Sequence, residues 1–228
     1  MIDRLRIPTF ETLPKDLPVF PLSGAMLLPG GHMPLNVFEP RYLNMIEDAL
    51  KGSRLIGMIQ PITERDEHLL PDGTKLYEIG CAGRITQFGE TEDGRYLIVL
   101  DGLIRFRVEE ELGAVDGYRR VRPDFSPYIH DFNIDDTIND EQIDDRDRLL
   151  LAMTRYFDLN GITADTDEIA ESSDQDLITT LAMSCPLDPG EKQALLECAT
   201  TFQRGELLTS MLEIAAYASE SLSSDVRQ

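Results

Sequence analysis

Only a few residue groupings in this chain are of types and spacings that do chemistry. His32, His68 and His130 lie far apart in loop-like sequence. There is no G-x-S-x-G, S-x-x-K or H-E-x-x-H, so neither a hydrolytic triad nor a metal site is encoded by pattern. Pro29-Gly-Gly31 lacks the spacing and the lysine of a phosphate-cradling loop, which argues against nucleotide hydrolysis. Carboxylate pairs are abundant because the chain is acidic, and they carry no information about acid–base catalysis. Cys81, Cys185 and Cys198 are odd in number and without C-x-x-C spacing, so they read as small core residues in a reducing, cytoplasmic setting. Catalytic residues, metal and cofactor are all expected to be none.

Two groupings remain. Glu39, Arg41 and Tyr42 stand together at a strand-to-helix junction, where Arg41 either pairs with a carboxylate beside a core-filling Tyr42 or contacts a ligand. Arg105, in a strand behind Gly102, has the same two readings. Met26, Leu27, Leu28 and Met33 lie in or next to a Gly/Pro-rich loop that is itself apolar. Thioether and aliphatic side chains adapt to many shapes, as a promiscuous protein-binding surface requires. The same residues would equally fill the mouth of their own barrel, and both readings stay open.

The elements that must hold these residues follow from periodicity. Met1–Asp16 reads as an extended arm, without the apolar run of a secretion signal or membrane span. Leu17–Leu22 and Pro34–Phe38 are strand-like, and Pro40 to Leu50 is an amphipathic helix ended by Lys51-Gly52. Arg54–Gln60 is β-like, Pro61–Thr74 a long loop. Glu78–Phe88, Tyr96–Leu100 and Leu103–Val108 read as three strands with turns at Glu92-Asp-Gly94 and Asp101-Gly102. In the last of them Ile104, Phe106 and Val108 alternate with Arg105 and Arg107, one buried face and one wet face. Tyr118–Arg122 adds another strand, so residues 1–123 form a small, mostly antiparallel β-domain with one early helix.

From Asp124 the composition changes. Between Asp131 and Asp147 eight Asp/Glu face Arg146 alone, which reads as a solvated connector. Leu150, Met153 and Phe157 then mark a helix stopped by Asn160-Gly161. Ser173 to Asp176 and Asp188-Pro-Gly-Glu191 are helix starts, and Leu207 to Ala218 is a long terminal helix. Residues 124–228 are therefore an acidic connector and a helical bundle. The net charge of -21 weighs against nucleic acid and anionic membrane as partners.

With these residues assembled, the chain resembles the Lon-protease N-terminal domain family, in particular its stand-alone bacterial members. The resemblance rests on Leu17-Pro-Val-Phe-Pro-Leu22, Leu28-Pro-Gly30, Met33-Pro-Leu35, Phe38-Glu-Pro-Arg-Tyr42, Gly102-Leu-Ile-Arg-Phe106, Gly117-Tyr118, Pro186-Leu-Asp-Pro-Gly-Glu-Lys-Gln193 and Leu195-Leu196. It implies an α+β fold, a PUA-like antiparallel β pseudo-barrel followed by a C-terminal α-helical bundle. It also implies a non-enzymatic module that recognises unfolded or degradation-bound proteins, as an adaptor or chaperone-like factor with a protease as a further partner. The chain departs from the full protease in carrying neither the ATPase module nor the Ser/Lys peptidase domain, so no peptidase activity is expected. The rival expectation is a small-ligand or RNA-binding PUA-like protein. RNA binding needs a basic groove with stacking aromatics, whereas Arg105, Arg107, Arg119, Arg120 and Arg122 stand amid many acids and the chain has no Trp.

Overall fold

The computed structural model describes residues 8–62, 73–132, 145–163, 169 and 172–225, with side chains through Tyr217. The chain divides into two compact units, Met1–Ile138 and Asn139–Gln228.

The first unit is built on six strands: β1 (Leu17–Pro21), β2 (His32–Val37), β3 (Leu55–Ile59), β4 (Ile79–Glu90), β5 (Tyr96–Val115) and β6 (Tyr118–Asp124). Their order is β2-β5-β4-β3-β1-β6, and a further β5–β6 pairing closes β5, β4, β3, β1 and β6 into a pseudo-barrel. Closure depends on the length of β5. Its first part pairs with β2 and its last part with β6, so one bent strand serves both ends. The sheet is mixed, because β1 and β3 run parallel, Val19 opposite Gly57. The connection between them contains β2 and the helix α1 (Pro40–Lys51), a crossover long enough for a parallel pair.

Leu17, Val19, Leu55, Ile59, Ala82, Ile104, Phe106 and Val121 form the barrel core, with Phe125 and Tyr128 from beyond β6. Phe106 fits because Gly80 leaves room for its ring; a Cβ there would stand 2.6 Å from the ring. α1 starts at Pro40 and ends in Lys51, with Gly52 as its C-cap, as the sequence suggests. It buries Tyr42, Met45, Ile46 and Ala49, and Tyr42 lies 4.2 Å from the ring of Phe20 on β1.

Three readings from sequence are corrected here. Asp101-Gly102 is not a turn; Tyr96–Val115 is continuous, so the expected strands Tyr96–Leu100 and Leu103–Val108 are one. Arg105 does not lie on a wet face, since it is only 5% exposed. The segment after Pro123 is not yet connector: Phe125, and Tyr128 from the 3-10 segment Ser126–Phe132 that follows it, join the barrel core. Most of the acidic stretch, 133–144, lies outside the described residues, as do 1–7 of the N-terminal arm and 63–72 of the long loop.

The second unit is helical: α2 (Arg146–Asn160), α3 (Asp174–Ser184), α4 (Pro189–Glu197) and α5 (Thr201–Asp225). The local signals act as expected. Asp145 caps α2 by accepting from the Arg148 N–H at 2.8 Å, and Gly161 ends that helix in the left-handed conformation. The Ser173 hydroxyl accepts from the Asp176 N–H, and Glu191 closes the capping box on Asp188 at 2.9 Å. Leu149, Met153 and Phe157 of α2, Leu177 and Leu181 of α3, Leu195 and Leu196 of α4, and Leu208 and Leu212 of α5 are buried. The spacing of four in α2, α3 and α5, and the adjacent Leu195 and Leu196 of α4, bring one face of each helix into a shared core. Cys81 and Cys185 are buried core residues, whereas Cys198 is half-buried.

Candidate functional site

The 22–31 loop turns inward. Met26, Leu27 and Leu28 are 2%, 1% and 0% exposed, and Met33 on β2 is half-buried. Backbone bonds hold the loop to the barrel: Leu22 N–H to the Ile59 carbonyl, Gly24 N–H to the buried Gln60 side-chain oxygen, and Gly30 N–H to the Gly102 carbonyl. Gly102 N–H in turn donates to the Gly31 carbonyl at 2.8 Å. Of the two readings of the apolar loop, its packed form is the one observed.

Glu39, Arg41 and Tyr42 form a buttress. The Arg41 guanidinium binds the Glu39 carboxylate at 2.8–2.9 Å and lies 4.7 Å from the centre of the Tyr42 ring. Beside them the Asn44 side chain donates to the Asp116 carbonyl in the β5–β6 turn. Arg105 is likewise committed within the fold. Its backbone N–H, Nε and Nη2 all donate to the Asp131 carboxylate, and Tyr128 stacks under its guanidinium at 4.7 Å. Burial disfavours its charge, but the bonds and charge of Asp131 outweigh this and hold its pKa above the usual value. Among the described residues no group of three or more His, Cys, Asp or Glu is arranged to hold a metal ion.

What the fold exposes is a different apolar surface. β2, the start of β5 and the end of β4 make a three-stranded end of the sheet, with Leu35 opposite Ile98 and Phe88 opposite the same Ile98. On its outer side Phe38 is 62% and Leu97 48% exposed; on the other side Phe88 is 44% exposed and meets Tyr96 edge-to-face at 5.0 Å. The Tyr96 hydroxyl donates to Glu47 of α1 at 3.0 Å, and that carboxylate raises the phenol pKa. Sequence reasoning did not single out Phe88, Leu97 or Asn36. The available signal was the unbroken apolar run Tyr96–Leu100, since a strand with one wet face alternates.

The barrel's arginines are largely neutralised in place. Arg119 pairs with Glu111, Arg120 with Asp16, and Arg122 with Glu110.

A mixed pseudo-barrel with an apolar sheet end, followed by a unit of short capped helices, defines an α+β binding domain of the Lon N-terminal class. The chain belongs to the family of ATP-dependent protease La (Lon) substrate-binding domains, whose profile matches residues 16–213. It is 28% identical over 200 residues to Lon protease 2 of Sorangium cellulosum, covering 86% of this chain and 24% of that protein. To the Lon protease of Flavobacterium johnsoniae it is 33% identical over 100 residues, 44% of this chain and 12% of that one. The chain thus spans a quarter or less of these proteases. A crystal structure of a Lon N-terminal domain protein from Xanthomonas campestris is similar at TM-score 0.55 and 25% identity, covering 86% of this chain and 97% of that one. The N-terminal domain of the Mycobacterium avium complex Lon protease shares the fold at TM-score 0.60 and 18% identity, covering 87% and 98%. The matched domain is a substrate-binding one and not a catalytic one.

Proposed function

We propose that this protein captures unfolded or degradation-bound polypeptides without catalysis, as a cytoplasmic adaptor or chaperone-like factor that hands clients to a protease. The observation that carries the reading is the exposed apolar pair Phe38 and Leu97 on the outer face of the sheet end, with Phe88 exposed on the opposite face. Unlike Met26, Leu27 and Leu28, these side chains are open to a client without disturbing the core. Each aliphatic or aromatic side chain buried by a client contributes about 1.5–3 kcal/mol, so two or three contacts leave weak binding after the cost of association. Such binding suits a protein that must release what it samples. The pairing of Arg119, Arg120 and Arg122 with carboxylates favours a polypeptide over RNA as ligand, because it takes cations away from phosphate.

The test is capture of reduced, carboxymethylated α-lactalbumin against its native form. Binding of the unfolded form alone, lost in the double variant Phe38→Ser/Leu97→Ser with an unchanged melting temperature, supports the reading. Equal binding of both forms, or none, overturns it.

A further inference from the structure

We propose that β2 receives an extended client segment as an added strand, with the backbone of His32, Pro34 and Asn36 as the docking edge. The inference rests on the polypeptide-binding reading above and specifies how that binding occurs. The Gly102 N–H bond to the Gly31 carbonyl flanks the His32–Asp101 pair, which makes that pair the non-hydrogen-bonded kind in an antiparallel ladder. Alternation along the six paired residues then assigns Met33, Leu35 and Val37 to bonds with Leu100, Ile98 and Tyr96. The backbone groups of His32, Pro34 and Asn36 point away from β5, where no described strand pairs with them.

Other strand ends in this sheet also lack a second neighbour, but they are protected. The end of β4 follows a register shift between Ile85 and Gln87 and carries Glu90. The β5–β6 end has shifts between Val108 and Glu110 and between Leu112 and Val115, and carries Glu109, Glu110 and Glu111. Bulges and charges are the usual means of keeping an edge from pairing. β2 has neither. Its pairing with β5 shows no shift, and from Met33 to Phe38 there is no charged residue. Its one protection is Pro34, which removes a single outward N–H and leaves those of His32 and Asn36 together with all three carbonyls.

The occupant follows from chemistry on the same face. Pro34 and Asn36 are opposite Val99 and Leu97 on the outer face, where strand alternation continues to Phe38. A segment with apolar residues at alternate positions would lay one set on that face beside Pro34, Asn36 and Phe38, extending the apolar surface that Leu97 begins on the other side of β2, while its backbone bonds the edge, as in strand addition elsewhere. The net charge of -21 favours a segment flanked by lysine or arginine and opposes a second copy of this chain.

The experiment uses the intact protein and a short fluorescent peptide with valine at alternate positions and lysine at each end. Two further peptides are N-methylated on one or the other alternating set of amides. Methylating the set that faces β2 should weaken binding about tenfold, the loss of roughly 1.4 kcal/mol in backbone bonds, whereas the other set should bind as the parent does. Hydrogen exchange on complexes with carboxymethylated α-lactalbumin should show the Asn36 amide slowed. Equal binding of the two methylated peptides overturns the inference. So does unchanged Asn36 exchange in a protein that still captures the unfolded client, and in that case the functional reading stands. Failure to capture that client at all removes both.

Discussion

Gly102 and Leu28 are in contact through their backbones: a Cβ on Gly102 would stand 2.0 Å from the Leu28 carbonyl oxygen. The loop cannot sit on β5 if any other residue occupies that position. Gly102→Ala should therefore lower stability by at least the 1–3 kcal/mol typical of overpacking, read as a fall in the urea midpoint. An unchanged midpoint would show that the loop moves aside at little cost.

The same contact explains what could and could not be read from sequence. Asp-Gly between apolar runs signals a hairpin turn, and a single chain cannot distinguish that from a glycine that admits another backbone. The helices were legible because Asp188, Glu191, Ser173 and Gly161 act within one turn of themselves. Closure of the barrel was not, since it depends on which strands Val121 and Leu17 find across a hundred residues. Arg105 looked wet because alternation assigns it a face but cannot say that Ser126–Phe132 covers that face. The exposed end of the sheet was masked by the same rule, as Leu97 and Ile98 are equally apolar and only the fold decides which is inside.

Met26 and Leu27 belong to the interior, so their replacement tests the core. Met26→Ser/Leu27→Ser should cost several kcal/mol, given about 2–5 for each large-to-small core change, and should lower the melting temperature strongly. A double variant that melts like the parent would mean that the loop packs on nothing.

Arg105 and Arg122 predict opposite outcomes for one substitution. Arg105→Ala leaves the Asp131 carboxylate without its partner at 10% exposure and should cost about 3–5 kcal/mol. Arg122→Ala breaks an ion pair whose two side chains are half exposed and should cost about 0–1 kcal/mol. Chemical denaturation of the two variants compares them directly, and similar losses would contradict the buried clamp.

Tyr118 ties β6 to α1 through its bond to Asp48 at 3.1 Å, and its environment sets an alkaline limit. Burial first, then the Asp48 hydrogen bond and charge, push its pKa from 10.0 up to about 12. The folded state prefers the neutral phenol, so this contribution is complete below pH 10 and is lost as pH rises from 10 towards 12. Tyr118→Phe should show a shallower decline of stability over that interval. Parallel curves for the two proteins would remove the assignment.

The thiols offer a check that needs no mutation of the core. Cys81 and Cys185 are buried, which shields both from a reagent, and burial also raises the Cys185 pKa to about 11. Cys198 is half-buried at the end of α4. Titration with a disulfide reagent should find one fast thiol in the native protein, absent in Cys198→Ser, and all three only after unfolding.

Pro34 is the last and most direct handle on the edge of β2. Its nitrogen faces away from β5, so replacing it removes none of the bonds that hold the strand. Pro34→Val restores the missing donor and supplies a β-branched side chain suited to a strand. The edge would then present an unbroken row of outward N–H and C=O groups without charge or bulge, the arrangement that invites other strands. Capture of unfolded α-lactalbumin should rise in this variant, and light scattering at high salt, where mutual repulsion of the acidic chains is screened, should reveal self-association. Both effects should fall back to the parent's level when Asn36→Pro is added, because a proline at position 36 again removes one outward N–H and leaves the edge with two, as in the parent chain. If Pro34→Val neither binds clients more tightly nor self-associates once screened, the edge of β2 is closed to strands by something other than Pro34.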